Sequence, residues 1–155
     1  MKPIAAAGLV LACLAGIASA SSAASKKAAQ TLPVPKLNFV GTEAYEANGF
    51  DFIRYKYEVA NRGKFKKELF AASPDLPACG ENPNSSRTWV DLYGSDGKKL
   101  LWFCAFTTPD DLAHLWFALT EDKPPPPSVY IEMTDRRTGA TIRSNSAGTG
   151  PASHK

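Results

Sequence analysis

The stretch Arg87–Phe106, RTWVDLYGSDGKKLLWFCAF, decides the fold. Val90 and Leu92 alternate with Trp89, Asp91 and Tyr93, the period-two pattern of a strand that buries one face. Gly94–Gly97, GSDG, follows with turn chemistry, because glycine accepts positive φ. The return segment, Lys99 to Phe106, is apolar on both parities. That predicts a central strand covered on both sides.

The same reading extends outward. Leu37 to Thr42, LNFVGT, is a short first strand. In Phe50 to Val59, FDFIRYKYEV, the residues Ile53, Tyr55, Tyr57 and Val59 share one parity and Arg54, Lys56 and Glu58 the other. Phe52 breaks that parity, as a bulge or an exposed aromatic would. Beyond the hairpin, TTPDDL predicts one short helical turn, with Thr108 as N-cap, Pro109 in the first position and Asp110 and Asp111 at the positive end. LWFAL, Leu115 to Leu119, is a further strand, and Pro124 to Pro127 form a stiff extended connector. SVYIEMTDRRTGATIRS closes the domain as a second hairpin, with Val129, Ile131 and Met133 facing one way and Tyr130, Glu132 and Thr134 the other. About seven short strands with almost no helix predict an all-β, two-sheet antiparallel sandwich. A small closed barrel is the rival.

The 155-residue chain is of single-domain length, and its ends differ from its middle. Residues 1–20 carry Lys2, an apolar core IAAAGLVLACLAGIA and small residues in ASA, Ala18 to Ala20, the pattern of a secretory signal peptide. The core is shorter than the about 20 apolar residues a bilayer span needs. VLAC, Val10 to Cys13, loosely imitates a lipoprotein cleavage box, but Leu11 is bulky where a small residue is usual, so anchoring at Cys13 is set aside. Residues 21–35 are small, polar and punctuated by proline, a flexible linker. The folded domain is expected over 36–144, and 145–155 as a disordered tail. The expected location is secreted or periplasmic, without stable membrane insertion. A formal net charge of +3 is mild and gives no sign of a nucleic-acid partner.

Beyond the signal segment two cysteines remain, Cys79 and Cys104. An even count in an exported chain predicts a disulfide. It would close a loop of about 25 residues and contribute roughly 3 kcal/mol.

The block CGENPNSSRTWVDLYGSDGKKLLWFCAF with PDDLAHLWFAL and SVYIEMTDRRTG resembles an immunoglobulin-like or fibronectin type III-like domain of small, uncharacterised bacterial secreted proteins. The resemblance covers about Lys36 to Ser144. It implies a sandwich and says almost nothing of function, since such folds host many roles. Antibody-type domains place their disulfide between two central strands, whereas Cys79 lies in a loop. The bridge would pin that loop onto the Cys104 strand.

Catalytic readings are weak. A nucleophilic Cys104 with His114 as base needs a free thiolate, which the expected disulfide removes. In DDLAH, Asp110 and His114 would share a helical face, but a third metal ligand is missing. YGSDGKK lacks the alternating oxygens and closing glutamate of a calcium loop. No cofactor and no metal are expected, and the chain reads as a non-enzyme. Two loops are the candidate binding regions for a protein or cell-surface partner. One is basic, with Arg62, Lys64, Phe65, Lys66 and Lys67. The other surrounds Cys79, with Glu81, Asn82, Asn84 and Arg87. NSS, Asn84 to Ser86, also matches an N-glycosylation acceptor. The alternative function is a carbohydrate-binding module using Trp89, Trp102 and Trp116, although aromatics of this kind more often fill a sandwich core. A small hydrolase or metal enzyme ranks last.

Overall fold

The computed structural model describes residues 32–72, 74–83 and 85–150. Among them lie eight strands: β1 (Leu37–Ala47), β2 (Phe50–Val59), β3 (Thr88–Gly94), β4 (Lys99–Phe103), β5 (Leu115–Thr120), β6 (Ser128–Asp135), β7 (Thr141–Arg143) and β8 (Ala147–Gly148). They form a two-sheet antiparallel sandwich. One sheet has the order β1-β2-β5; the other has β4-β3-β6-β7, with β8 pairing β6. The seven expected strands are all present. The predicted helical turn is a 3-10 turn, Pro109–Ala113, whose Asp111 carboxylate accepts from the backbone N–H of Thr107 at 2.6 Å and Thr108 at 2.9 Å.

Alternation builds the core. Tyr55, Tyr57 and Val59 of β2, Val90 and Leu92 of β3, Leu115 and Phe117 of β5, and Val129, Ile131 and Met133 of β6 point inward and are buried. Removing their apolar surface from water, at roughly 25 cal/mol per Å², is the main force holding the two layers together. Tyr55 and Phe117 stack at 4.9 Å, as neighbours across β2 and β5 should.

The structure corrects several expectations. β1 runs on to Ala47, because Asn48 and Gly49, with φ of 54° and 75°, make a tight turn that lets it pair with all of β2. The bulge lies in β1, between Phe39 and Gly41, rather than at Phe52, which stacks on Tyr45 at 5.4 Å. β4 is an edge strand that ends at Phe103, not a central one. Its second apolar parity is therefore left largely to solvent, and Trp102 is 47% exposed.

The chain ends of the domain also differ from expectation. Leu32, placed in the linker, is buried in the core, and the Val34 carbonyl accepts from Asn61 Nδ2 at 2.8 Å. Residues 145–150, placed in the tail, are anchored to the domain by hydrogen bonds, although most of them are exposed. Asn145 brackets Leu37, accepting from its N–H and donating to its carbonyl, each at 2.9 Å, while Ala147 is buried. Low apolar content hid this at the C-terminal side, since the anchoring is done by the Asn145 amide, the Thr149 hydroxyl and the backbone. The expected signal peptide, the linker up to residue 31 and the tail from residue 151 lie outside the described residues. Among those described, no helix is long and apolar enough to cross a membrane.

Candidate functional site

Several of the loop residues nominated from sequence are engaged within the fold, and others are exposed. Cys79 and Cys104 form a disulfide with Cα atoms 5.6 Å apart, tying the long β2–β3 connection to the residue just past β4. Phe65 is a correction: it is 4% exposed and packs edge-on to Phe70, because this connection needs its own apolar plug. Arg62 pairs with Glu58 at 3.2 Å and lies 3.9 Å from Asp110. Lys64, Lys66 and Lys67 are exposed, as is Glu81. Asn82 and Cys79 exchange backbone hydrogen bonds of 2.8 and 3.0 Å. Asn84, and with it the acceptor motif, lies outside the described residues.

Arg87 is also taken. Its Nε and Nη2 donate to Asp135 at 2.9 and 2.6 Å, a bidentate pair in which the Asp135 side chain is only 2% exposed. Those bonds hold the Asp135 carboxyl down at about 2. The pair locks the start of β3 to the end of β6. It leaves no donor fork for a partner.

The three tryptophans lie on outer faces, which corrects the reading of them as core filling. Trp89, Asp91 and Tyr93 of β3 occupy the parity opposite Val90 and Leu92. Tyr130, Glu132 and Thr134 do the same on β6. The register sets Trp102 against Asp91, Lys99 against Tyr93, Tyr93 against Tyr130, and Glu132 against Arg143. The result is a continuous aromatic and charged surface over β4, β3, β6 and β7.

Its geometry falls into two halves. At one end Tyr93 and Tyr130 stack at 5.2 Å. Arg143 lies 4.0 Å from the Tyr130 ring and donates to Glu132 at 2.9 and 3.2 Å. Lys99 pairs with Asp91 at 3.0 Å. Loss of hydration pulls the Lys99 pKa down, but Asp91 and Tyr93 together outweigh it and lift it above the ordinary lysine value. This half is closed, with each cation matched by a carboxylate. At the other end Trp89 and Trp102 lie 6.1 Å apart at 39°, and the Arg136 guanidinium sits 4.4 Å over Trp89. Trp102 also forms one wall of an apolar cleft of about 420 Å³, shared with the disulfide, Phe103 and Phe106.

Such a surface can do one kind of chemistry well. An aromatic face is the negative side of a ring quadrupole and attracts the partly positive C–H groups of a flat, hydroxylated ring. The polar edges around it accept and donate hydrogen bonds to the hydroxyls. A roomier hollow of about 720 Å³ lies elsewhere, at the β1–β2 turn, walled by Asp51, Glu121, Asp122 and Phe50. Among the described residues, no three of His, Cys, Asp and Glu gather where they could share a metal ion.

The signal for this face was present in the sequence as the outward parity of β3 and β6. Three of its six positions are aromatic, where a solvent-facing sheet usually carries small polar residues. No family model matches the chain, and neither a curated protein nor a solved structure matches it.

Proposed function

We propose that this protein is an exported, non-catalytic binding module whose ligand is a glycan laid across the outer face of the larger sheet. The observation that carries the reading is the Trp89–Trp102 pair, an exposed indole next to a half-buried one on the outer face of the larger sheet. Export is supported by the disulfide, which persists in oxidising compartments, and by the signal-like pattern of residues 1–20. A non-catalytic role is supported by the commitment of Cys104 to that disulfide, which leaves it no thiolate. The order β1-β2-β5 over β4-β3-β6-β7 also supports the fibronectin type III-like assignment. The fourth strand joins the second sheet here, whereas immunoglobulin constant domains keep it on the first.

A second reading has its own support. The outer edge of β4 has no strand beside it among the described residues, and the apolar cleft adjoins it. An extended segment of a protein partner could add there as a further strand. Affinity electrophoresis through gels containing soluble polysaccharides separates the two readings. The glycan reading expects the native protein to be retarded by at least one polysaccharide and Trp102→Ala to run freely. Alanine at Lys64, Lys66 and Lys67 together should change nothing. Unretarded migration through every gel, or retardation that survives Trp102→Ala, contradicts the glycan reading.

A further inference from the structure

We infer, on the glycan reading above, that the ligand is an acidic glycan whose carboxylate is received by Arg136, which lies over Trp89, the indole next to Trp102. The argument is one of charge left over. Around this face and its β6–β7 turn stand five cationic side chains. Arg87 is closed by Asp135, Lys99 by Asp91, Arg143 by Glu132, and Arg137 pairs with Asp75 at 3.4 Å. Arg136 alone of the five has no carboxylate within ion-pair distance among the described residues.

Its placement suits reception rather than support. The side chain is exposed, and its backbone N–H donates to the Arg87 carbonyl at 2.8 Å, which fixes the turn that carries it. The guanidinium stands 4.4 Å over the Trp89 ring. A cation–π contact made through the face of a guanidinium leaves its N–H groups free to donate to an acceptor in its plane. That planar fork matches a carboxylate bidentately, and Lys offers no equivalent. Trp102 is the neighbouring ring, its centroid 6.1 Å from that of Trp89. On this inference a pyranose stacks on Trp102 and turns an anionic substituent toward the unmatched fork over Trp89. Asp91 and Glu132 do not repel it as free charges, because each already faces a cation.

The shared chemistry is an anionic group on a sugar, and a sulfate ester is its other source. The test therefore uses four probes: polygalacturonate, its methyl-esterified form, a neutral glucan and dextran sulfate. Binding is measured for the native protein, Arg136→Gln, Arg136→Lys and the Lys64/Lys66/Lys67 triple alanine variant. The expected result is at least tenfold tighter binding of polygalacturonate than of its methyl ester. That preference should vanish in Arg136→Gln, shrink in Arg136→Lys and persist in the triple variant. Equal binding of acid and ester overturns the inference but leaves the glycan reading standing. So does a preference that vanishes in the lysine triple instead. Tighter, Arg136-dependent binding of dextran sulfate overturns the carboxylate assignment in favour of sulfate. Binding to none of the four, nor to any wider panel, overturns the glycan reading and this inference with it.

Discussion

Arg54 on the smaller sheet and Arg136 beside the larger one both lie against indoles, at 4.8 Å from Trp116 and 4.4 Å from Trp89. Their surroundings then diverge. Arg54 is held between two rings, with Tyr45 at 4.6 Å on its other side, and its Nη1 reaches Glu43 at 3.6 Å. Lys56 shares the same carboxylate at 3.5 Å. Arg136 covers one ring and faces solvent without a carboxylate. The same residue types thus give a self-contained cluster on one sheet and an open one on the other. Composition does not distinguish them. What distinguishes them is whether a carboxylate stands beside the cation: the strand register sets Glu43 opposite Arg54, while Arg136 lies in a turn past the end of β6.

The comparison can be tested hardest at the frame beneath the larger sheet. Asp135→Ala should cost about 3–4 kcal/mol, because it strands the Arg87 guanidinium in a mostly buried site. Chemical denaturation measures it. The same group sets an acid limit. Its folded pKa, about 2, lies below the unfolded value of 3.8, so its stabilisation is present above the unfolded value. It should be lost as pH falls from about 4 toward 2, and Asp135→Asn should flatten that part of the stability profile.

Next in size is the disulfide. Replacing Cys79 and Cys104 together by alanine should cost about 3 kcal/mol by freeing a 25-residue separation in the unfolded chain. The native protein should show no reactive thiol at either position under denaturing, non-reducing conditions.

Smaller effects sharpen the contrast between the two arginines. Arg54→Ala should cost about 1–2 kcal/mol through two lost ring contacts and one exposed ion pair, with no change in polysaccharide retardation. Arg136→Ala should cost less than about 1 kcal/mol of stability and yet change ligand preference. If the two variants behave alike in both measurements, the distinction between closed and open clusters is wrong. The smallest effect is expected at Trp89→Phe. The Trp89 Nε1 is buried with no hydrogen-bond partner among the described residues, so removing it forfeits no bond. A stability change within about 0.5 kcal/mol is expected, read from the same denaturation curves.

The strands were legible because burial writes itself as alternation. Val90/Leu92 and Val129/Ile131/Met133 gave β3 and β6 with their correct inner faces. The disulfide was legible from cysteine arithmetic alone. β4 was not: Leu100, Leu101, Trp102 and Phe103 are apolar on both parities whether a strand is central or edge, and only pairing tells which. The far half of β1 was hidden because Glu43, Ala44 and Glu46 carry little apolar signal, although Asn48-Gly49 marked its turn. Phe65 and Arg87 looked like surface residues because their neighbours in sequence are polar. Their partners, Phe70 and Asp135, sit on other parts of the fold. The open face was half legible, since the outward parity of Trp89, Tyr93 and Tyr130 could be read, while the vacancy opposite Arg136 depends on which carboxylates the register gives to Lys99 and Arg143.

The most direct test of the glycan face is to follow the three indole N–H resonances while polygalacturonate oligomers are titrated into the protein. The account predicts that the Trp102 and Trp89 signals move together with ligand and saturate, while Trp116 stays in place. Movement of Trp116 alone, or a saturating complex in which neither Trp89 nor Trp102 shifts, would contradict it.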